Sequence, residues 1–143
     1  MKYMENRERV LLAFSGGLDT SFCAVYLAKA KNFEVHTAIV DTGGFNKDEL
    51  KKIKNQAKKL GVASHEVLDA TEEYYNKCVR FMLYGNALRN RNYPMSVSSE
   101  RSFQAIALVE YARSKGFRKI VHGSTAAGND QVRFDLTLHV LAP

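Results

Sequence analysis

Apolar residues follow two rhythms along this chain. Val10 to Phe14 is an unbroken run, V-L-L-A-F, with the length and bounds of a strand buried on both faces. Glu34 to Val40 predicts a second strand, closed by Asp41-Thr42-Gly43-Gly44. Ser64 to Leu68 predicts a short third strand and Lys119 to His122 a fourth. Between them the spacing turns helical. Leu18, Phe22, Val25 and Tyr26 predict the apolar face of a helix from about Leu18 to Lys31. Leu50, Ile53, Ala57 and Leu60 predict a second helix, opened by a capping box of Asn46 and Glu49 and stopped by Gly61. Thr71 is placed to cap a third helix, running to about Tyr84 with Tyr75, Cys78, Val79 and Met82 on its apolar face. Gly85 to Ser99 reads as a polar, turn-rich connection, and Phe103, Ile106, Ala107 and Glu110 fit a helix ending at Lys115-Gly116. A glycine-containing loop follows Gly123, then an amphipathic tail with Leu136, Leu138, Val140 and Leu141.

Strands alternating with helices predict an α/β fold: a parallel sheet of four to five strands with helices on both faces. In such sheets ligands bind beyond the carboxyl ends of the strands. The two unusual loops, Ser15 to Ser21 and His122 to Arg133, both follow strands and are therefore expected on one edge of the sheet.

Bulk composition narrows the chemistry. The 143 residues suit one domain with one core. A net charge of +6 admits a polyanionic small molecule or a nucleic acid as partner. Lys51, Lys52, Lys54, Lys58 and Lys59 lie mostly on the polar face of the second helix, without interleaved aromatics. They read as a solvated face, and no nucleic-acid partner is expected. Cys23 and Cys78 form no C-x-x-C pair, and the four histidines show no metal-ligand spacing. No signal-type or membrane-length apolar run is present, so no membrane partner is expected and a cytoplasmic address follows by default.

The first loop, Ser15-Gly16-Gly17-Leu18-Asp19-Thr20-Ser21, joins a buried strand to a helix start. Paired glycines let backbone N–H groups approach a ligand, and the helix start adds unpaired donors with partial positive charge. Ser15, Thr20 and Ser21 add hydroxyl donors. Asp19 repels a bare anion but suits one that carries Mg²⁺. A ligand-free turn accounts for the glycines; it leaves the hydroxyls and the acid without a purpose. The G-x-x-x-x-G-K-[ST] and G-x-G-x-x-G patterns are both absent.

This loop resembles the S-G-G-x-D-[ST]-S signature of the PP-loop ATP pyrophosphatases. The resemblance implies an adenine nucleotide alpha hydrolase-like, Rossmann-like fold. It also implies that the loop holds the β,γ-pyrophosphate of ATP while the α-phosphate is attacked. Within that superfamily, His122-Gly-Ser-Thr125-Ala-Ala-Gly128-Asn129-Asp130-Gln131-Val132-Arg133-Phe134 resembles the argininosuccinate synthase signature H-G-x-T-x-x-G-N-D-Q-x-R-F. Thr20, Tyr93 with Ser98 and Arg101, and the closing Leu141-Ala-Pro143 are similar to the same family.

That resemblance implies a ligase that joins citrulline and aspartate, converting ATP to AMP and pyrophosphate. ATP, with Mg²⁺ at Asp19, would be held by Ala13, Ser15, Gly16, Gly17, Leu18, Asp19, Thr20, Ser21, Val40, His122 and Gly123. Thr125, Asn129 and Asp130 would bind aspartate; Tyr93, Ser98, Asn129 and Arg133 would bind citrulline. Asp19 and Asp130 are the expected catalytic residues. The family often carries Gly-Lys where this chain has Ala126-Ala127. Its members are longer and form tetramers, so residues 1–143 are expected to be the nucleotide-binding domain without the C-terminal synthetase and oligomerisation domain, and without full turnover. The alternatives are a tRNA sulfur-transfer enzyme with the same loop, using Cys23, or a nucleotide-binding module without chemistry.

Overall fold

The structure, a computed structural model, describes residues 7–125 and 128–142. Its frame is a four-stranded parallel sheet. Strand β1 (Arg9–Ala13) pairs with β2 (Glu34–Asp41) on one side and with β6 (Ile120–Val121) on the other, and β3 (Ser64–Asp69) lies beyond β2. Pairing with β6 starts one residue before that strand, where the Leu11 N–H donates to Lys119 O at 3.0 Å.

Alternation along β1 sends side chains into two separate cores. Leu11, with Ala38 and Val40 of β2, packs against Ala105, Leu108 and Ala112 of helix α5 (Ser96–Lys115) and Phe134 of helix α6 (Asn129–Leu141). Val10, Leu12 and Phe14 point the other way, to Ala24 and Leu27 of α1 (Leu18–Lys29) and Ala57 of α2 (Lys47–Lys59). Val10, Leu11 and Leu12 have no exposed surface, which is why the run shows no polar alternation.

The capping box at α2 forms as expected. Asn46 Oδ1 accepts from the Glu49 N–H at 2.9 Å, and Glu49 Oε2 accepts from the Asn46 N–H at 2.8 Å. Gly61 and Gly116 take the left-handed conformation that ends α2 and α5.

Three expectations are corrected. In α1 the stripe Leu18, Phe22 and Tyr26 is 86%, 66% and 43% exposed, while Ala24 and Leu27 face the sheet. Small residues let the helix lie close to the strands, and the large ones are left outside. The third helix does run from Thr71 to Tyr84, but as α3 (Thr71–Tyr74), a π turn (Tyr75–Val79) and α4 (Arg80–Tyr84). The residue before it, Ala70, gives no side-chain cap; Asp69 Oδ1 accepts from the Thr71 N–H at 3.0 Å, and Thr71 is the first residue of the helix instead of its cap. Tyr74, at the end of α3, is buried, while Tyr75, expected on the apolar face, is 48% exposed. Lastly, α5 begins at Ser96, inside the stretch that reads as loop, after a small hairpin of β4 (Leu88–Arg89) and β5 (Tyr93–Pro94). The serines are tolerated there because their polar groups find partners. The Tyr74 hydroxyl donates to Ser96 O at 2.6 Å and lies 3.1 Å from Ser99 Oγ. The buried face of α5 is Ala105, Leu108, Val109 and Ala112.

The tail forms α6. It buries Phe134 and packs Leu138 against the core, while Leu136 and Val140 stay exposed. Among the described residues, no helix is long and apolar enough to cross a membrane.

One buried titratable group sits in the α1–α2 core. The Thr37 hydroxyl donates to Ser64 O at 3.0 Å, so its oxygen accepts from His65 Nδ1–H at 2.9 Å. His65 Nε2 is buried with no hydrogen-bond partner, and the ring meets Phe14 edge-on. Burial first, then Lys54, pushes the His65 pKa below its ordinary 6.5, with Glu66 opposing. The folded form therefore binds fewer protons than the unfolded chain once pH drops to that ordinary value. Stability is full above about pH 6.5 and falls as pH descends below it, by at most about 1.4 kcal/mol per pH unit for one proton. Urea unfolding across this range is expected to show that slope, and His65→Asn to flatten it; an unchanged slope in the variant would contradict the assignment.

Candidate functional site

The strand order β3-β2-β1-β6 runs outward from β1 in one direction and then returns to its other side. The crevice beyond the carboxyl ends of β1 and β6 is thus the switch point of the sheet. The Ser15–Ser21 loop leaves β1 there and the His122–Thr125 segment leaves β6 there, on one edge as expected.

Two cavities open at this edge. The first, of about 330 Å³, has an apolar wall that includes Ala13, Phe14, Val40, Phe45, Leu108 and Phe134. Its polar side is Ser15, Gly17, Asp19, Thr20, His122, Gly123 and Ser124, with Arg101 and Gln104 of α5. The second, of about 870 Å³, is lined by Tyr93, Thr125, Asn129, Gln131 and Arg133, with Asn90 and Asn92. Asp19, Gly123, Ser124 and Asp130 line both, so the cavities meet at one shared wall.

The first loop is held from behind by α2. Gly16 has φ +78, and a Cβ there would stand 3.2 Å from Ile53 Cγ1 and 3.4 Å from Gln56 Oε1. The Gln56 amide donates to Ser21 Oγ at 2.8 Å. Gly16 and Ser21 therefore support the loop from its rear and line neither cavity. On the open side the bonds are long. Ser15 Oγ accepts from the Gly17 N–H, the Thr20 hydroxyl donates to Gly17 O, and the two hydroxyl oxygens lie side by side, each at 3.3 Å. Bonds of this length are weak, and a phosphate oxygen competes with them readily. Gly17 caps α1 without a side-chain hydrogen bond, and Gly128 does the same for α6. The first-turn N–H groups of both helices thus lack side-chain acceptors.

Asp130 is the most heavily partnered residue of the wall. Arg101 Nε donates to its Oδ2 at 3.2 Å, and Arg133 Nη1 to its Oδ1 at 3.1 Å. Arg133 Nη2 donates to Ser98 Oγ at 3.2 Å, which ties Ser98 to the second cavity although it does not line it. Arg101 Nη1 also donates to Gln104 Oε1 at 3.1 Å, and the Thr42 hydroxyl reaches Glu100 at 2.6 Å. His122 faces α6: its Nε2 is 2.7 Å from Asp135 Oδ1 and its ring stacks on Phe134 at 5.5 Å. It thereby fastens the end of β6 to α6 as well as lining the cavity.

Sequence reading named Arg101 without a role and overlooked Phe45, Gln104, Asn90 and Asn92. Arg101 and Gln104 stand one helical turn apart on α5, a spacing that shows which polar residues share a face but not what that face meets. Ala126 and Ala127 lie outside the described residues. No group of three or more His, Cys, Asp or Glu able to hold a metal is found among the described residues. Cys23 packs into the α1–α2 core; burial first, then the Asp19 charge, pushes its thiol up, against a smaller backbone hydrogen bond. A neutral, half-buried thiol is a poor sulfur-transfer nucleophile.

Comparison with known proteins adds an independent line. A family model described as "Arginosuccinate synthase N-terminal HUP domain" matches residues 9–143. Argininosuccinate synthase of Xylella fastidiosa is 41% identical over 133 residues, which are 93% of this chain and 33% of the relative. That of Dictyoglomus thermophilum is 42% identical over 138 residues, 96% and 34%. That of Pyrococcus furiosus is 41% identical over 135 residues, 94% and 32%. The chain thus spans about a third of the length of these relatives. Among solved structures, an NH3-dependent NAD synthetase from Campylobacter jejuni superposes with a TM-score of 0.61 at 16% identity, covering 85% of this chain and 49% of that one. A predicted tRNA methyltransferase subunit from Methanocaldococcus jannaschii gives 0.58 at 20% identity, covering 85% and 55%. At these identities the likeness is one of fold.

The shared wall depends on one close approach. A Cβ on Gly123 would lie 3.0 Å from Thr20 Cγ2 and 3.4 Å from Thr20 N. Gly123→Ala is expected to cost about 1–3 kcal/mol in urea unfolding and to move the Thr20 amide resonance. A variant that keeps both unchanged would show that the two loops do not touch.

Proposed function

This chain belongs to the argininosuccinate synthase N-terminal HUP domain family, and from that premise we propose that it binds Mg·ATP in the first cavity and amino-acid substrates in the second. The observation that carries this reading is the shared wall of Asp19, Gly123, Ser124 and Asp130. Joining two reactants through an activated intermediate needs a nucleotide chamber and a polar chamber in contact at the reacting atoms.

In this reading the apolar wall around Val40 receives adenine, and the phosphates lie over Ser15, Gly17, Leu18, Asp19 and Thr20. The uncapped N-terminus of α1 stabilises phosphate charge there. Gly16 and Ser21 act by holding the loop against α2. A single carboxylate beside a phosphate cradle suits Mg²⁺, which keeps waters and takes few protein ligands. Asp19 would hold it, and the ion would supply neutralisation of the phosphate oxygens.

The second cavity would take citrulline and aspartate. Arg133 offers a guanidinium for a substrate carboxylate, Thr125 and Asn129 offer a hydroxyl and an amide, and Asp130 offers an acceptor for an ammonium group. Tyr93 lines the same space, and Ser98 orients Arg133. The ureido oxygen of citrulline then attacks the α-phosphorus, forming a new P–O bond as pyrophosphate leaves. The amine of aspartate attacks the activated carbon, and AMP leaves with the C–O bond pair. The protein's part is alignment and charge stabilisation. The chain is the nucleotide-binding portion of this reaction; its relatives are about three times as long.

Calorimetric titration with Mg·ATP is the direct test. Saturable binding by the wild-type chain, weakened at least about tenfold in Asp19→Ala, is expected from the loss of one charge-mediated contact worth ~1.4 kcal/mol or more. Absence of binding by a chain that is folded by circular dichroism would overturn the nucleotide reading.

A further inference from the structure

We propose that Arg101 alternates between Asp130 and the phosphates of the bound nucleotide, so that nucleotide binding frees one oxygen of Asp130 for an amino-acid substrate. The inference rests on the nucleotide reading above and extends it to a residue that reading leaves without a role.

Charge in the first cavity is the starting point. Among its described lining residues, Arg101 is the one side chain with a permanent positive charge, against two carboxylates, Asp19 and Asp130. A triphosphate brings several negative charges into this space. The signature residues that line this cavity, His122, Gly123, Ser124, Asp130 and Phe134, add no permanent positive charge to offset them. The guanidinium of Arg101 is therefore the protein's own fixed cation for phosphate at this position.

Within the protein that guanidinium has only modest partners. Its bond to Asp130 Oδ2 is 3.2 Å long, its bond to Gln104 is 3.1 Å, and Glu100 Oε2 lies at 3.8 Å. The side chains of Arg101 and Asp130 are 33% and 48% exposed, so their pair is solvent-screened. A phosphate in the cavity offers a more highly charged partner, two of whose oxygens can meet the same guanidinium fork.

Asp130 does not collapse when Arg101 leaves. Arg133, facing the second cavity, keeps Oδ1 at 3.1 Å through a one-turn contact within α6. Only Oδ2 is released, and Asp130 lines both cavities. The carboxylate then has one oxygen anchored and one open toward an incoming ammonium. Arg101 is in this sense a phosphate-binding residue whose departure positions Asp130.

The test is a double-mutant cycle on Mg·ATP binding, using the wild-type chain, Asp130→Asn, Arg101→Gln and the double variant. Arg101→Gln is expected to weaken Mg·ATP binding about tenfold. Asp130→Asn, by releasing Arg101, is expected to tighten binding about threefold with Arg101 present, and to change it by less than about twofold in the Arg101→Gln background. The Arg101 Nε–H resonance should also shift on saturation with Mg·ATP. Equal tightening in both backgrounds would mean that only the negative charge of Asp130 matters, and would overturn the proposal. So would an unchanged affinity in Arg101→Gln, with the wild type still binding. No binding by the folded wild-type chain would sink the nucleotide reading and this proposal together, which separates that failure from the others.

Discussion

Strand β1 is enclosed on every side: by β2 and β6 in the plane of the sheet, and by two helical cores above and below it. Val10, Leu11 and Leu12 lose all contact with water. Full burial of such side chains contributes roughly 1.5–3 kcal/mol each, so the strand cannot slide or tilt without large cost. Whatever leaves its carboxyl end is therefore held in a fixed direction. The Ser15–Ser21 loop inherits that rigidity and gains a rear support from Ile53 and Gln56 of α2. Its backbone N–H donors are thus held in place by the fold.

The return of the chain to the far side of β1 brings the second loop to the first. Gly123 approaches Thr20 so closely that no larger residue fits without displacement. From this contact the rest of the site follows. Asp130 stands in the first turn of α6 where both cavities meet, and α5 supplies Arg101 and Gln104 from across the crevice. Ion pairs here are solvent-exposed in part and individually weak. Pairs this weak exchange partners at little cost.

The same geometry explains what stands outside. Leu18, Phe22 and Tyr26 form an exposed stripe because α1 presents its small side to the sheet. Packing distance decided the matter: Ala24 beside Leu27 allows a closer approach than Phe22 beside Tyr26 would. At the end of α3 the partner surface made an analogous choice: Tyr74 faces inward to the serines of α5.

Several features were legible in the residues alone. The apolar run of β1, the capping box at Asn46 and Glu49, the glycine stops and the glycine turn from β1 into α1 all rest on short-range physics: side-chain period, local hydrogen bonding and permitted φ. The parallel sheet followed from the alternation of strands and helices. Which face of α1 or of the Thr71–Tyr84 helix is buried did not follow, because several faces were apolar enough and only the partner surface selects among them. Helical structure at Ser96–Ser99 was hidden for a related reason: serines favour loops unless distant groups such as the Tyr74 hydroxyl and Arg133 satisfy them. The distinction between Gly16 and Ser21 at the rear of the loop and Ser15 and Thr20 at its front, and the meeting of Arg101 with Asp130, belong wholly to the tertiary structure. They depend on where α2 and α5 lie, and the burial of both faces of the sheet, not the local sequence, sets those positions.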